Sequence, residues 1–154
     1  LHRNFQGYCT TKTTGQVYGF GASSISQLFS AYSQNVKNAA QYIKKINDNN
    51  TAVLRGYNLT QNEKIIRDVI NSIMCNYFVD FHEIAERFET NSYKIKEVIA
   101  FDKEKFKDFI DLNFMKIEND KITISHDARL YIRNIAMEFD PLMDTKIGTY
   151  SKTI

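Results

Sequence analysis

At 154 residues, with 43% hydrophobic and 25% charged side chains, one proline and six glycines, the chain has the make-up of a globular domain with a real core, which excludes a disordered or collagen-like polymer. No apolar run approaches the roughly 18 to 20 residues of a membrane span and no basic-then-apolar signal opens the chain, so a soluble, cytoplasmic protein without a membrane span is expected. The net charge of +2 divides unevenly: residues 1–60 carry six basic groups and one acid, whereas residues 61–154 carry 14 basic and 17 acidic groups, so an anion is best received by the first part.

Residues 1 to about 30 read as loop and strand punctuated by glycine. Gln16-Val17-Tyr18-Gly19-Phe20 alternates at strand spacing, and Gly19-Phe20-Gly21 before Ala22-Ser23-Ser24 permits a tight turn or a close approach of backbone. From Ser33 to Asn47 the apolar positions Val36, Ala39, Ala40, Ile43 and Ile46 predict one helix face, ended by Asn47-Asp48-Asn49-Asn50. Val53 to Leu59 reads as an extended connection. Thr60-Gln61-Asn62-Glu63 has the form of a capping box, and the stripe Ile65, Ile66, Val69, Ile70, Ile73, Met74 and Tyr77 predicts the helix that follows.

Asp80 with Glu83 starts a shorter helix through Ile84 and Phe88; Ser92 to Ala100 allows one or two more turns; Asp102 caps a helix carrying Phe106, Phe109 and Ile110. The period then changes. Met115–Glu118 and Lys121–Ile124 predict two strands around Asn119-Asp120, and Ser125 to Phe139 predicts a closing helix that buries Ala128, Tyr131, Ile132, Ile135, Ala136 and Phe139, with Pro141 just beyond it. Helices, a hairpin and a closing helix predict a mainly α fold with a small β component and a winged-helix-like arrangement.

The chemistry legible from residue types is sparse. Cys9 and Cys75 are too few for an iron–sulfur cluster or structural zinc, which take about four protein ligands, and Cys75 reads as a packed small hydrophobe. His2, His82 and His126 have no metal-ligand spacing. Gly19-Phe20-Gly21 lacks the third glycine of a dinucleotide fingerprint. Arg129 and Arg133, at i and i+4, suit either an anion clamp or pairing with nearby carboxylates. The mixed charges of the acidic stretches around Glu83 to Glu89 and Asp102 to Asp111 read as solvated helix faces.

Three groups of blocks nevertheless form a recognisable series. Asn4-Phe5-Gln6-Gly7-Tyr8, Gly19-Phe20-Gly21-Ala22-Ser23-Ser24-Ile25-Ser26 and Ala31-Tyr32-Ser33-Gln34-Asn35 come first. Arg55-Gly56 with Leu59-Thr60, and Arg67-Asp68-Val69-Ile70 with Met74-Cys75-Asn76-Tyr77, follow; Leu130-Tyr131-Ile132-Arg133-Asn134-Ile135 with Phe139-Asp140 closes it. In this order they resemble the final third of the oxygen-independent coproporphyrinogen III oxidase family, radical S-adenosylmethionine enzymes of haem synthesis.

The resemblance implies that residues 1–30 are the last segment of a catalytic barrel and residues 31–154 a C-terminal helical domain with a β hairpin near 115–124. It implies an internal boundary of the enzyme at Leu1, with the 4Fe-4S cluster motif upstream and no oxidase activity in this piece alone. The whole enzyme would use S-adenosylmethionine and the cluster to decarboxylate two propionates of coproporphyrinogen III to vinyl groups, with an electron donor, no nucleic acid, and a monomeric state expected. Ile25 matches the family isoleucine that packs on S-adenosylmethionine, and Gln6 a glutamine near the active site; no catalytic residue and no metal ligand is expected in this piece. From charge rather than resemblance, Arg3 and Arg55 are expected to attract the substrate's carboxylates. A haem chaperone of the same superfamily and a winged-helix nucleic-acid binder are the alternatives.

Overall fold

The computed structural model describes residues 2–4, 7–9 and 16–143. Two compact units divide it, Leu1–Lys64 and Ile65–Ile154.

In the first unit, β1 (His2–Asn4) pairs antiparallel with β2 (Gly7–Cys9). A second sheet runs β3 (Ile25–Gln27), β4 (Ala31–Asn35), β5 (Val53–Asn58), all antiparallel and in that spatial order. The expected strand at Gln16–Phe20 reduces to one bridge, in which Val17 and Gln27 exchange backbone hydrogen bonds of 2.8 and 2.9 Å.

The helix expected from Ser33 begins later, as α1 (Ala39–Asn49). Its first predicted residues are strand because β4 is paired on both sides, a non-local constraint that overrides the local apolar period. Asn38 caps α1 through its Oδ1, which accepts from the Gln41 amide at 3.0 Å, and Asn50 ends it in the left-handed conformation. Val36 is buried before the helix starts, while Ala39, Ala40 and Ile43 lie exposed and Ile46 half-buried. The compact division falls well after residue 30 because β4 and β5 share a sheet with β3.

The capping box forms as its sequence predicts. Thr60 Oγ1 accepts from the Glu63 amide at 3.3 Å, Glu63 Oε2 accepts from the Thr60 amide at 2.8 Å, and α2 (Gln61–Asn76) follows.

The second unit is built around the apolar stripe of α2, with Ile65, Ile66, Val69 and Ile73 buried. After Tyr77, in left-handed conformation, come β6 (Phe78–Asp80), α3 (Phe81–Arg87) and α4 (Ser92–Val98). A 3₁₀ turn at Lys103–Phe106 leads into α5 (Lys107–Asp111), then the hairpin β7 (Met115–Glu118) and β8 (Lys121–Ile124). Asn119 and Asp120 both take positive φ, as a two-residue hairpin turn matched to the strand twist requires. The closing helix is split into a 3₁₀ turn at Asp127–Tyr131 and α6 (Ile132–Met137).

Sheet order β6-β8-β7 joins the short strand before α3 to the hairpin, giving the winged-helix arrangement its three-stranded wing sheet. Phe81, Phe106 and Phe139 are fully buried and Phe101 packs among them, with Phe106 and Phe139 centroids 4.7 Å apart. Tyr131, expected in the core, lies at its margin, half exposed and stacked on Phe114 at 5.4 Å.

Two aspartates tie the wing to the helices. Asp80 caps α3, accepting from the His82 amide at 2.9 Å, and pairs with Lys121 Nζ at 2.7 Å. Burial pushes its carboxyl upward, but the Lys121 ammonium and the α3 amides outweigh that and hold it below its ordinary value. Asp120, at the hairpin turn, is likewise lowered, chiefly by the hydrogen bond from Lys96 and then by Ser92; His82 Nε2 lies 3.4 Å from its other oxygen. Among the described residues no helix is long and apolar enough to cross a membrane.

Candidate functional site

The segment Gly19–Ser24 is folded tightly onto the strand that follows it. A Cβ on Gly19 would stand 2.8 Å from the Ile25 carbonyl oxygen and 3.0 Å from its amide nitrogen, so only glycine lets the two backbones approach this closely. Gly21 has φ +98°, where side chains are strained. Asn35 gathers the loop: its Nδ2 donates to the Gly21 carbonyl at 3.0 Å, Ser24 Oγ at 3.0 Å and the Gly19 carbonyl at 3.3 Å. Ser24 Oγ donates to the Gly21 carbonyl at 2.8 Å, the Gly19 amide donates to Ser26 Oγ at 3.0 Å, and the Gly21 amide donates to the Tyr42 hydroxyl at 3.1 Å. Ser26 and Asn35 thus hold the loop from one face of the sheet.

Ile25 points to the other side. In the β3-β4-β5 sheet Ile25 is opposite Gln34, and Gln34 is opposite Arg55. Directly opposed residues share a face, so these three form one row, with Ile25 and Arg55 two strand spacings, or roughly 10 Å, apart. Ile25 is 37% exposed and Arg55 is exposed. Arg55 Nε and Nη2 both donate to Gln34 Oε1, at 3.0 and 2.7 Å, while Gln34 Nε2 donates to the Ser23 carbonyl at 3.2 Å.

The next row on that face is Gln27, Tyr32 and Tyr57. The Tyr57 hydroxyl donates to Glu63 in a short hydrogen bond, at the start of α2. That bond, reinforced by the Thr60 amide and hydroxyl, holds the Glu63 carboxyl below its usual range; reciprocally, it raises the Tyr57 phenol.

Two of the four residues singled out from sequence, Ile25 and Arg55, thus come together in one row. Arg3 belongs to β1, where it is opposite Tyr8, and Gln6 lies outside the described residues. Gln34, which joins Ile25 to Arg55, escaped the sequence reading: its link depends on strand register, and the only local signal was its place in the Ala31–Asn35 block. Elsewhere, Cys75 is buried. Arg129 lies over the Tyr77 ring at 4.3 Å, a cation–π contact that neither reading of the Arg129–Arg133 pair included. Among the described residues no three His, Cys, Asp or Glu side chains gather as metal ligands would.

The row can do two things chemically: offer an apolar surface at Ile25 for a flat or aliphatic group, and offer a guanidinium at Arg55 for a carboxylate.

No protein-family model matches the chain. It is 34% identical over 146 residues to the oxygen-independent coproporphyrinogen III oxidase of Escherichia coli, covering 95% of this chain and 31% of that protein. Its identity to the enzyme of the same name from Thermostichus vulcanus is 35% over 158 residues, covering all of this chain and 47% of the relative. Among solved structures it is similar to coproporphyrinogen III oxidase (HemN) from Escherichia coli, described as a radical SAM enzyme, with a TM-score of 0.79, 33% identity, and coverage of 92% of this chain and 32% of that one. The chain spans about a third of the length of the Escherichia coli relative.

Proposed function

We propose that this chain, a homologue of the C-terminal part of the oxygen-independent coproporphyrinogen III oxidases, serves as that part of an enzyme converting coproporphyrinogen III to protoporphyrinogen IX. The observation that carries the reading is similarity over nearly the whole chain in both sequence and fold, together with a row that sets an exposed isoleucine and an arginine on one sheet face with Gln34 between them.

In this reading the Ile25 surface and the loop held by Asn35 form one wall of the S-adenosylmethionine site. The tight Gly19–Ile25 approach supports that role, because it fixes the backbone from which Ile25 projects. Gln6 is proposed to line the same site. Arg55, with Arg3, receives carboxylates. S-Adenosylmethionine bound against Ile25 would supply, together with a 4Fe-4S cluster for which this chain is proposed to provide no ligand, the radical chemistry that starts each decarboxylation. This chain's contribution is to bind, orient and shield.

Residues 1–30 are proposed as the last barrel segment, and the winged-helix unit as a cover over the substrate cavity. Within that unit the α4 cations Lys94 and Lys96 are engaged by Glu97 and Asp120, which supports a role other than phosphate neutralisation. The proposal keeps the cytoplasmic location and monomeric state expected from sequence.

The test is made on the full-length protein. Ile25→Asp should weaken S-adenosylmethionine binding, since it sets a carboxylate on an apolar contact surface. Arg55→Glu should raise the KM for coproporphyrinogen. Unchanged affinity and unchanged KM in the two variants would retire the site.

A further inference from the structure

We infer that Gln34 is a positioning residue that aims the Arg55 guanidinium at a carboxylate lying beside the Ile25 surface. The identity of that carboxylate rests on the function proposed above: either the amino-acid end of S-adenosylmethionine or a propionate of the porphyrinogen.

Arg55 carries five N–H donors in a rigid fork. Gln34 Oε1 takes one hydrogen each from Nε and Nη2, which occupies the lateral edge of the guanidinium and stops its rotation. The end-on edge, Nη1 with the second hydrogen of Nη2, is left for the paired oxygens of a carboxylate. Gln34 is anchored in turn by its bond to the Ser23 carbonyl, in the loop that Asn35 holds.

The choice of a neutral amide is informative. A glutamate at position 34 would hold Arg55 as firmly but would neutralise it. Among the described residues no carboxylate lies within ion-pair distance of Arg55. The arginine is therefore oriented yet keeps its charge, the condition for capturing an anion rather than closing a structural pair. Strand pairing adds the location. Gln34 lies directly between Ile25 and Arg55 in the same row, so a ligand resting on Ile25 has this guanidinium within roughly 10 Å, the span of two strand spacings.

The test uses the full-length protein and two probes, S-adenosylmethionine and coproporphyrin III, the stable oxidised tetracarboxylate, each titrated at equilibrium. Gln34→Ala should weaken binding of one probe several-fold, and Gln34→Glu by about tenfold or more, the loss of a charge-assisted hydrogen bond. Thermal melting should rank Gln34→Glu at or above Gln34→Ala, because the glutamate keeps the link to Arg55. A merely structural role predicts the opposite order in binding, with glutamate restoring what alanine loses. On an Arg55→Ala background, Gln34→Ala should add nothing further.

Which probe responds identifies the carboxylate. Wild-type binding of both probes by Gln34→Glu, or effects of Gln34→Ala and Arg55→Ala that multiply in full, would overturn the inference. A wild-type protein that shows the expected binding pattern but makes no protoporphyrinogen would refute the proposed function and leave this inference standing. Normal turnover with binding indifferent to Gln34→Glu would do the reverse.

Discussion

Replacing Gly19 with alanine places a methyl group against main chain. The added Cβ falls 2.8, 2.9 and 3.0 Å from the Ile25 carbonyl oxygen, carbonyl carbon and amide nitrogen. These are main-chain atoms of β3, which is held in register against β4, so no rotamer relieves the contact. Relief requires moving the loop by roughly 0.5–1 Å to restore an ordinary contact. That displacement strains the Gly19 amide bond to Ser26 Oγ at 3.0 Å and the Asn35 bond to the Gly19 carbonyl at 3.3 Å. Overpacking costs about 1–3 kcal/mol and a lost hydrogen bond about 1 kcal/mol, so Gly19→Ala should destabilise the first unit by about 2–4 kcal/mol.

Gly21→Ala is the comparison. It meets nothing within 4 Å and suffers only the φ of +98°, a cost of about 1–2 kcal/mol. Urea unfolding followed by circular dichroism and tyrosine fluorescence reads both. A Gly19→Ala protein within about 0.5 kcal/mol of wild type, or one more stable than Gly21→Ala, would refute the close-approach argument.

Other substitutions probe the remaining parts. Thr60→Ala removes the acceptor of the capping box and should cost about 1 kcal/mol in urea unfolding. Phe106→Ala empties a fully buried site between Phe101 and Phe139 and should cost about 3–5 kcal/mol, whereas Leu130→Ala, at a side chain 90% exposed, should change stability by less than about 0.5 kcal/mol. The Asp80 and Asp120 carboxyls titrate lower in the folded chain than their ordinary 3.8. The unfolded chain therefore binds more protons in that window, so this stabilisation is present above pH 3.8 and is lost as pH falls below it towards the lowered folded values. Asp120→Asn should flatten that acid limb in thermal melts recorded against pH.

The elements legible in sequence are those with local causes. Thr60 and Glu63 mark the start of α2 by chemistry contained in four residues, and the stripe from Ile65 to Ile73 states which side is buried. Asn119-Asp120 similarly announces the hairpin turn. What sequence reading missed depends on distant partners. Phe78–Asp80 is too short to read as a strand until Lys121–Thr123 lies beside it, and Ala31–Asn35 has no clear alternation because all five of its residues are half-buried, so neither face is distinctly the apolar one. Five apolar positions at helical spacing, Val36 to Ile46, drew the predicted helix forward over Ser33–Asn35, where sheet pairing prevails.

The same division holds at the candidate site. Charge asymmetry singled out Arg55, and family resemblance singled out Ile25. Their common row required the register of two strand pairs, and Gln34 became visible only through the bonds it makes to both neighbours of the site, Ser23 and Arg55.

The central claim is tested most directly by anaerobic assay of the full-length protein with coproporphyrinogen III, S-adenosylmethionine and a chemical reductant. The account predicts protoporphyrinogen IX with release of carbon dioxide. Tight haem binding with no decarboxylation under those conditions would contradict it.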